Sequence, residues 1–116
     1  MRTLALLLAF CLPAFAAHAP TALRLSPRAE KHISERHFPG GSQTRGKSLF
    51  LAGTDLNALL AAAAKAAPRR QGNGRDKRVI NAGRIIGSDG RSGRSVRTYV
   101  VISEPDGLVI TMYPGV

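Results

Sequence analysis

The sequence predicts an α+β domain, with N-terminal helices packed on one face of a C-terminal antiparallel β-meander. Three observations carry this. Apolar residues recur at helical spacing in the first half of the chain and at strand spacing in the last third. Turn signals rich in Gly, Pro and Asp separate the strand-like runs closely enough for hairpins. The length of 116 residues allows one small domain and leaves no room for a second.

The first nineteen residues read as an address. Met1-Arg2-Thr3 is a short positive start, and Leu4 to Ala17 is an almost unbroken apolar run. Ala17-His18-Ala19 matches the small-x-small pattern read by signal peptidase, so residues 1–19 are expected to be a secretory signal peptide. Ala16 and Ala17 are alternative cleavage points. The run is shorter than the roughly 20 residues needed to span a bilayer, and Pro13 interrupts it. Cys11 follows Phe10, where a lipid anchor calls for a small residue. Residues 20–116 are then the folded domain, destined for the periplasm or the medium without stable membrane association.

Ser26-Pro27 is a helix start, a hydroxyl cap followed by proline at the first helical position. A short helix is expected over Arg28 to Arg36, closed by Phe38-Pro39-Gly40-Gly41-Ser42. Gly40 to Lys47 reads as a polar loop. Thr54-Asp55 opens a second helix over Asp55 to Ala67, where Leu56, Leu59, Leu60 and Ala63 form an apolar stripe. Pro68 closes it, and residues 68–77 read as a mobile basic connection. One strand is expected over Arg78 to Gly87, interrupted at Gly83. The next is Ser95 to Ser103, with Val96, Thr98, Val100 and Ile102 on one side and Arg97, Tyr99 and Val101 on the other. Glu104-Pro105-Asp106-Gly107 is a turn. The last strand is Leu108 to Tyr113. Simple alternation puts Leu108, Ile110 and Met112 on one face and Val109, Thr111 and Tyr113 on the other.

Composition narrows the function. The chain carries 17 Lys+Arg against 7 Asp+Glu, a formal charge of +10. Loss of residues 1–19 removes Arg2 and no acid, leaving +9 on 97 residues. Such a domain is drawn to nucleic acid or another polyanion. Its cations are spread through loops, at Arg69-Arg70, Arg75, Lys77-Arg78, Arg91 and Arg94, which is unlike a membrane-lytic amphipathic helix. With Phe38, Phe50, Tyr99 and Tyr113 as its aromatics, the domain lacks an extended base-stacking platform. The single Cys lies in the leader, so neither a disulfide frame nor a Cys/His zinc site is expected.

Chemistry remains open to the histidines. Metal-independent RNA cleavage needs a base for the ribose 2′-OH, an acid for the leaving 5′-oxygen, and donors that stabilise the phosphorane. Two histidines can serve as base and acid near neutral pH. His32, His37, Lys47 and Ser48 lie within a short stretch, and Thr111 and Tyr113 share one face of the last strand. On a continuous helix, His32 and His37 would lie about 140° apart at 100° per residue. They are therefore expected to converge only if the helix ends before His37, which Phe38-Pro39 encourages. Arg45, Ser48, Arg97 and Tyr99 are candidate substrate contacts.

The combined pattern is His32-Ile-Ser-Glu-Arg-His37, Gly40-Gly41-Ser42, Gly46-Lys47-Ser48-x-Phe50, a helix from Asp55, and a terminal Val109-Ile-Thr-Met-Tyr-Pro114. It resembles the bacterial EndoU-type ribonuclease toxin domains, within the wider grouping that includes barnase, colicin-type RNases and RelE-type toxins. The resemblance spans about Arg28 to the C-terminus. It implies an endoribonuclease that needs no cofactor and leaves a 2′,3′-cyclic phosphate. His32 matches the family's first histidine and Lys47 its phosphate-side lysine. Thr111 matches the strand hydroxyl, and Tyr113 the tyrosine on the nucleotide. The family's second histidine usually lies at or just after the double glycine, where this chain has Ser42. Either His37 takes that role by a shifted loop, or the position is lost. RNA is the expected partner of a monomeric protein, with an acidic inhibitor complementary to its surface as a second. A non-catalytic polyanion-binding module is the competing expectation.

Overall fold

A computed structural model describes residues 21–116; the expected signal peptide and Pro20 lie outside the described residues. The fold is α+β, with both helices in the N-terminal half, the short β1 between them and the other strands following. Helix α1 spans Pro27–His37 and α2 spans Leu56–Ala63. The strands are β1 (Leu49–Phe50), β2 (Arg69–Arg70), β3 (Asp76–Asn81), β4 (Gly87–Ser88), β5 (Ser95–Val96), β6 (Thr98–Ser103) and β7 (Val109–Pro114). They form two antiparallel sheets, a four-stranded one ordered β2-β3-β6-β7 and a small one ordered β1-β4-β5.

Local chemistry explains the helix starts. The Ser26 hydroxyl accepts from the Ala29 amide at 3.1 Å, and the Asp55 carboxylate accepts from the Ala58 amide at 3.2 Å. Each satisfies an orphan donor of a first turn. Helix α1 buries Ala29, Ile33 and His37, a stripe at four-residue spacing. Helix α2 buries Leu59, Leu60 and Ala63. Ile33, Leu59, Leu60 and Ala63 share one core with Tyr99, Val101, Val109 and Met112, so both helices cover the same face of the large sheet. Phe50 from β1 and Ile86, just before β4, complete it.

Several elements differ from expectation, each for a physical reason. Helix α1 runs through His37 and breaks at Phe38, whose extended backbone (φ −129°, ψ 145°) suits a residue before proline. Helix α2 stops at Ala63, four residues early. There the Lys65 and Ala66 amides bond the carbonyls three residues back, tightening the last turn. Residues 69–77 are not a mobile connection: β2 pairs with β3 in a hairpin, and Arg70 donates to Asp76 at 2.6 Å. The expected strand from Arg78 to Gly87 is split, because Gly83 at φ +75° turns the chain out of the large sheet and into the small one. The expected strand from Ser95 to Ser103 changes sheets at Arg97, β5 pairing with β4 and β6 with β3.

The correction that matters most is in β7. Its register against β6 slips between Ile102 and Ser103: Thr111 opposes Ile102, but Ser103 opposes Val109. Ile110 is the extra residue of a β-bulge. Simple alternation would send Val109 out with Thr111. The bulge instead buries Val109 in the core beside Met112, while Thr111 and Tyr113 keep the opposite face. Strand β7 is an edge of the large sheet, and α1 lies along it. The chain before α1 adds a parallel bridge from Arg24 to Leu108, blunting one end of that edge.

Candidate active site

Where α1 packs along β7, three of the chemistry-bearing side chains come together: His32, His37 and Tyr113. The N-terminal end of α1 meets the Leu108–Ile110 end of β7, and its C-terminal end meets Tyr113, so helix and strand run the same way. His32 and His37 have ring centroids 6.3 Å apart, edge to face. His37 and Tyr113 are 5.7 Å apart. The helix therefore need not end before His37 for the rings to meet. A side chain at the last helical position leans back over the preceding turn, which recovers part of the about 7.5 Å axial separation of five residues.

His37 is buried, at 8% exposure. Its Nδ1 lies 2.8 Å from the Ser48 carbonyl. A carbonyl only accepts, so in the neutral ring Nδ1 carries the proton and Nε2 holds a free lone pair. Burial pushes its pKa below the ordinary 6.5; the Ser48 carbonyl opposes this, and the charges of His32, Lys47 and Arg36 reinforce it. His32 is half-buried. Burial also lowers its pKa, helped by Arg36 and Lys47 and opposed by Glu35. Lys47 is exposed, and its charge adds to the lowering of both histidine pKa values.

The loop carrying Lys47 is built tightly. The Gly41 and Gln43 amides bond the Phe38 and Glu35 carbonyls, folding the chain back over the end of α1. The Ser48 hydroxyl accepts from the Gly90 amide at 2.9 Å. A Cβ on Gly90 would fall 2.6 Å from the Lys47 carbonyl carbon and 2.7 Å from the Ser48 nitrogen, so only glycine fits there. Ser48 is thus a scaffold residue, tying the Gly90 turn to His37, rather than a substrate contact.

Thr111 differs from every other polar side chain of the site. Its hydroxyl is buried and has no hydrogen-bond partner among the described residues. Leaving a buried polar group unpaired costs about 1–3 kcal/mol.

Three expected contacts fall elsewhere. Tyr99 is fully buried and donates to the Leu59 carbonyl at 2.6 Å, so it is a core residue. The pleat sends it to the helix side, opposite Tyr113. Arg97 is exposed beyond the start of β6 and donates to the Gly83 carbonyl at 3.1 Å. It lies three residues, about 10 Å at strand rise, from Val100, the cross-strand partner of Tyr113. Arg45 is exposed in the turn closed by the Lys47 amide on the Thr44 carbonyl. Arg78, one of the supposed surface cations, is also buried, donating to the Ala66 carbonyl and the Ser103 hydroxyl.

The Gly90 turn had a sequence signal, Ser88-Asp89-Gly90, but nothing local tied it to Lys47. Among the described residues, no three His, Cys, Asp or Glu side chains come together as a metal cage. Scanned against protein-family models and against curated proteins, the chain matches none.

Proposed function

We propose that the protein is a secreted endoribonuclease that cleaves RNA by 2′-OH attack and leaves a 2′,3′-cyclic phosphate. The observation that carries this reading is the convergence of His32, His37 and Tyr113 on one groove within reach of the Lys47 charge. The order of motifs along the chain, read above as resembling the EndoU-type toxin domains, leads to the same residues.

The geometry suits particular roles. His37, neutral and with Nε2 free, is the base that takes the 2′-OH proton. His32, more open to solvent and on the other side of the gap, is the acid that protonates the leaving 5′-oxygen. The ring separation lets both reach atoms of one phosphodiester. Lys47 offsets charge on the phosphorane, and the Thr111 hydroxyl, once substrate binding uncovers it, donates to a non-bridging oxygen. Tyr113 supports the ribose or base beside His37.

The test is total RNA incubated with residues 20–116 in EDTA, beside His32→Ala. Cleavage with cyclic-phosphate ends by the wild type, lost at least 100-fold in the variant, is the expected result. A folded wild type that leaves RNA intact, in EDTA or with added Mn²⁺, overturns the reading.

One observation favours a second reading, a polyanion-binding module. At the far edge of the large sheet, Arg69, Gln71 and Lys77 surround Val79, which is 48% exposed, in a cleft of about 320 Å³. On that reading the triple neutralisation of Arg69, Arg70 and Arg75 weakens RNA binding and flattens its salt dependence, while His32→Ala changes nothing.

A further inference from the structure

A second cleft, of about 440 Å³, opens beside His32 on the side away from His37. Its walls include Arg28 from α1, Arg75 from the β2–β3 turn, and Leu108 and Ile110 from the start of β7. Resting on the ribonuclease reading, we infer that this cleft is the subsite for the nucleotide next to the scissile bond. Arg28 and Arg75 hold its non-scissile phosphate, and Leu108 and Ile110 hold its sugar or base.

Five features converge on this. The cleft is continuous with His32, so whatever fills it lies against the reacting phosphodiester. Its two cations come from distant parts of the chain. Arg28 is exposed and takes part in no ion pair among the described residues, so the fold makes no visible use of its charge. Arg75 is steered by Glu104 at 3.2 Å, both side chains remaining about 40% exposed. Ile110 is turned toward the cleft by the β7 bulge, which replaces it in the core with Val109. Bulges recur beside active sites because they re-aim a side chain.

The position along β7 fits as well. The cleft residues lie one to three positions before Thr111, about 3 to 10 Å at strand rise, which is the reach of a single nucleotide. The volume lies within the range of small-molecule sites, with apolar walls and a few placed polar groups.

The experiment uses a dinucleoside monophosphate, whose one phosphate is scissile, and the same molecule carrying an added terminal phosphate at either end. In the wild type, the added phosphate at one end raises kcat/KM about 10-fold and at the other end changes it little. In Arg28→Glu that gain collapses to about 1-fold, and Arg28→Lys restores part of it. An acidic residue in the first turn of a helix is favourable, so Arg28→Glu is expected to fold. Lys65→Glu makes the same charge change at the end of α2 and keeps the full gain. Equal gains in wild type and Arg28→Glu overturn the subsite while leaving the ribonuclease reading in place. If no RNA is cleaved at all, that reading fails. Fluorescence-anisotropy binding of the phosphorylated dinucleotide in 2′-O-methyl form then decides the subsite alone: Arg28-dependent binding supports it and Arg28-independent binding overturns it.

Discussion

The two faces of the β6–β7 ribbon carry similar residues in opposite conditions. On the helix side, Tyr99 is fully buried and its hydroxyl is spent on the Leu59 carbonyl. Arg78 on the neighbouring strand is buried too, and it donates to the Ala66 carbonyl and the Ser103 hydroxyl. On the other side, Thr111 keeps a buried hydroxyl with no partner among the described residues, and Tyr113 lies against a histidine. One face satisfies its polar groups within the protein and the other holds at least one in reserve. A buried donor left unpaired is destabilising unless something else bonds it. On the proposed function, the difference separates a face that serves folding from the face that meets RNA.

Thr111→Val tests that contrast most severely. Removing one preorganised donor from a phosphoryl-stabilising site costs about 100-fold or more in kcat. The same change removes an unsatisfied hydroxyl, so thermal stability is expected to hold or rise by about 1 kcal/mol. A variant that loses stability and keeps activity would reverse the assignment of the face.

Gly90→Ala attacks the scaffold beneath the open face. The new Cβ meets the Lys47 and Ser48 backbone, so a loss of about 2–3 kcal/mol is expected by denaturant titration. Cleavage per folded molecule falls with it, because Lys47 and the Ser48 carbonyl are displaced together.

The two tyrosines sharpen the comparison directly. Tyr99→Phe is expected to cost about 1–1.5 kcal/mol of stability and leave kcat/KM of the folded fraction unchanged. Tyr113→Phe is expected to leave the melting temperature near wild type and raise KM or lower kcat several-fold. Interchanged results would mean that the faces have been read the wrong way round.

The smallest effect is a pH slope. Burial holds the His37 and His32 pKa values below 6.5 in the folded chain. The unfolded chain then binds more protons than the folded chain once pH falls below about 6.5, so stability is present above that pH and is lost as it drops. His37→Asn keeps a donor for the Ser48 carbonyl and cannot protonate. Its denaturation midpoint should fall less between pH 6.5 and 5 than that of the wild type, and an unchanged slope would show that His37 is not the group responsible.

Much of the architecture is written in local pattern. Ser26-Pro27 and Thr54-Asp55 mark the helix starts because a side-chain acceptor must meet a free amide there. The alternation in 98–103 and 111–113 marks β6 and the end of β7 because a pleat has period two. The pairing of Thr111 with Tyr113 on one face follows from the same period. Local pattern could not show that the basic stretch at residues 69–77 forms a hairpin, or that the chain changes sheets at Gly83 and Arg97. Those outcomes depend on partners far away in the chain.

The site divides the same way. The sequence by itself determined the inventory: two nearby histidines, a lysine, a strand threonine and tyrosine, and an excess of cations. Tertiary structure decided which of these face one groove. It consumed Tyr99 and Ser48 in the scaffold, left Arg45 and Arg97 outside, and turned Ile110 and Val109 about by a bulge that only strand pairing reveals. The physical reason is that composition and period fix what a segment can bury, whereas hydrogen-bond partners and register are properties of two segments together. Neither segment carries that information alone.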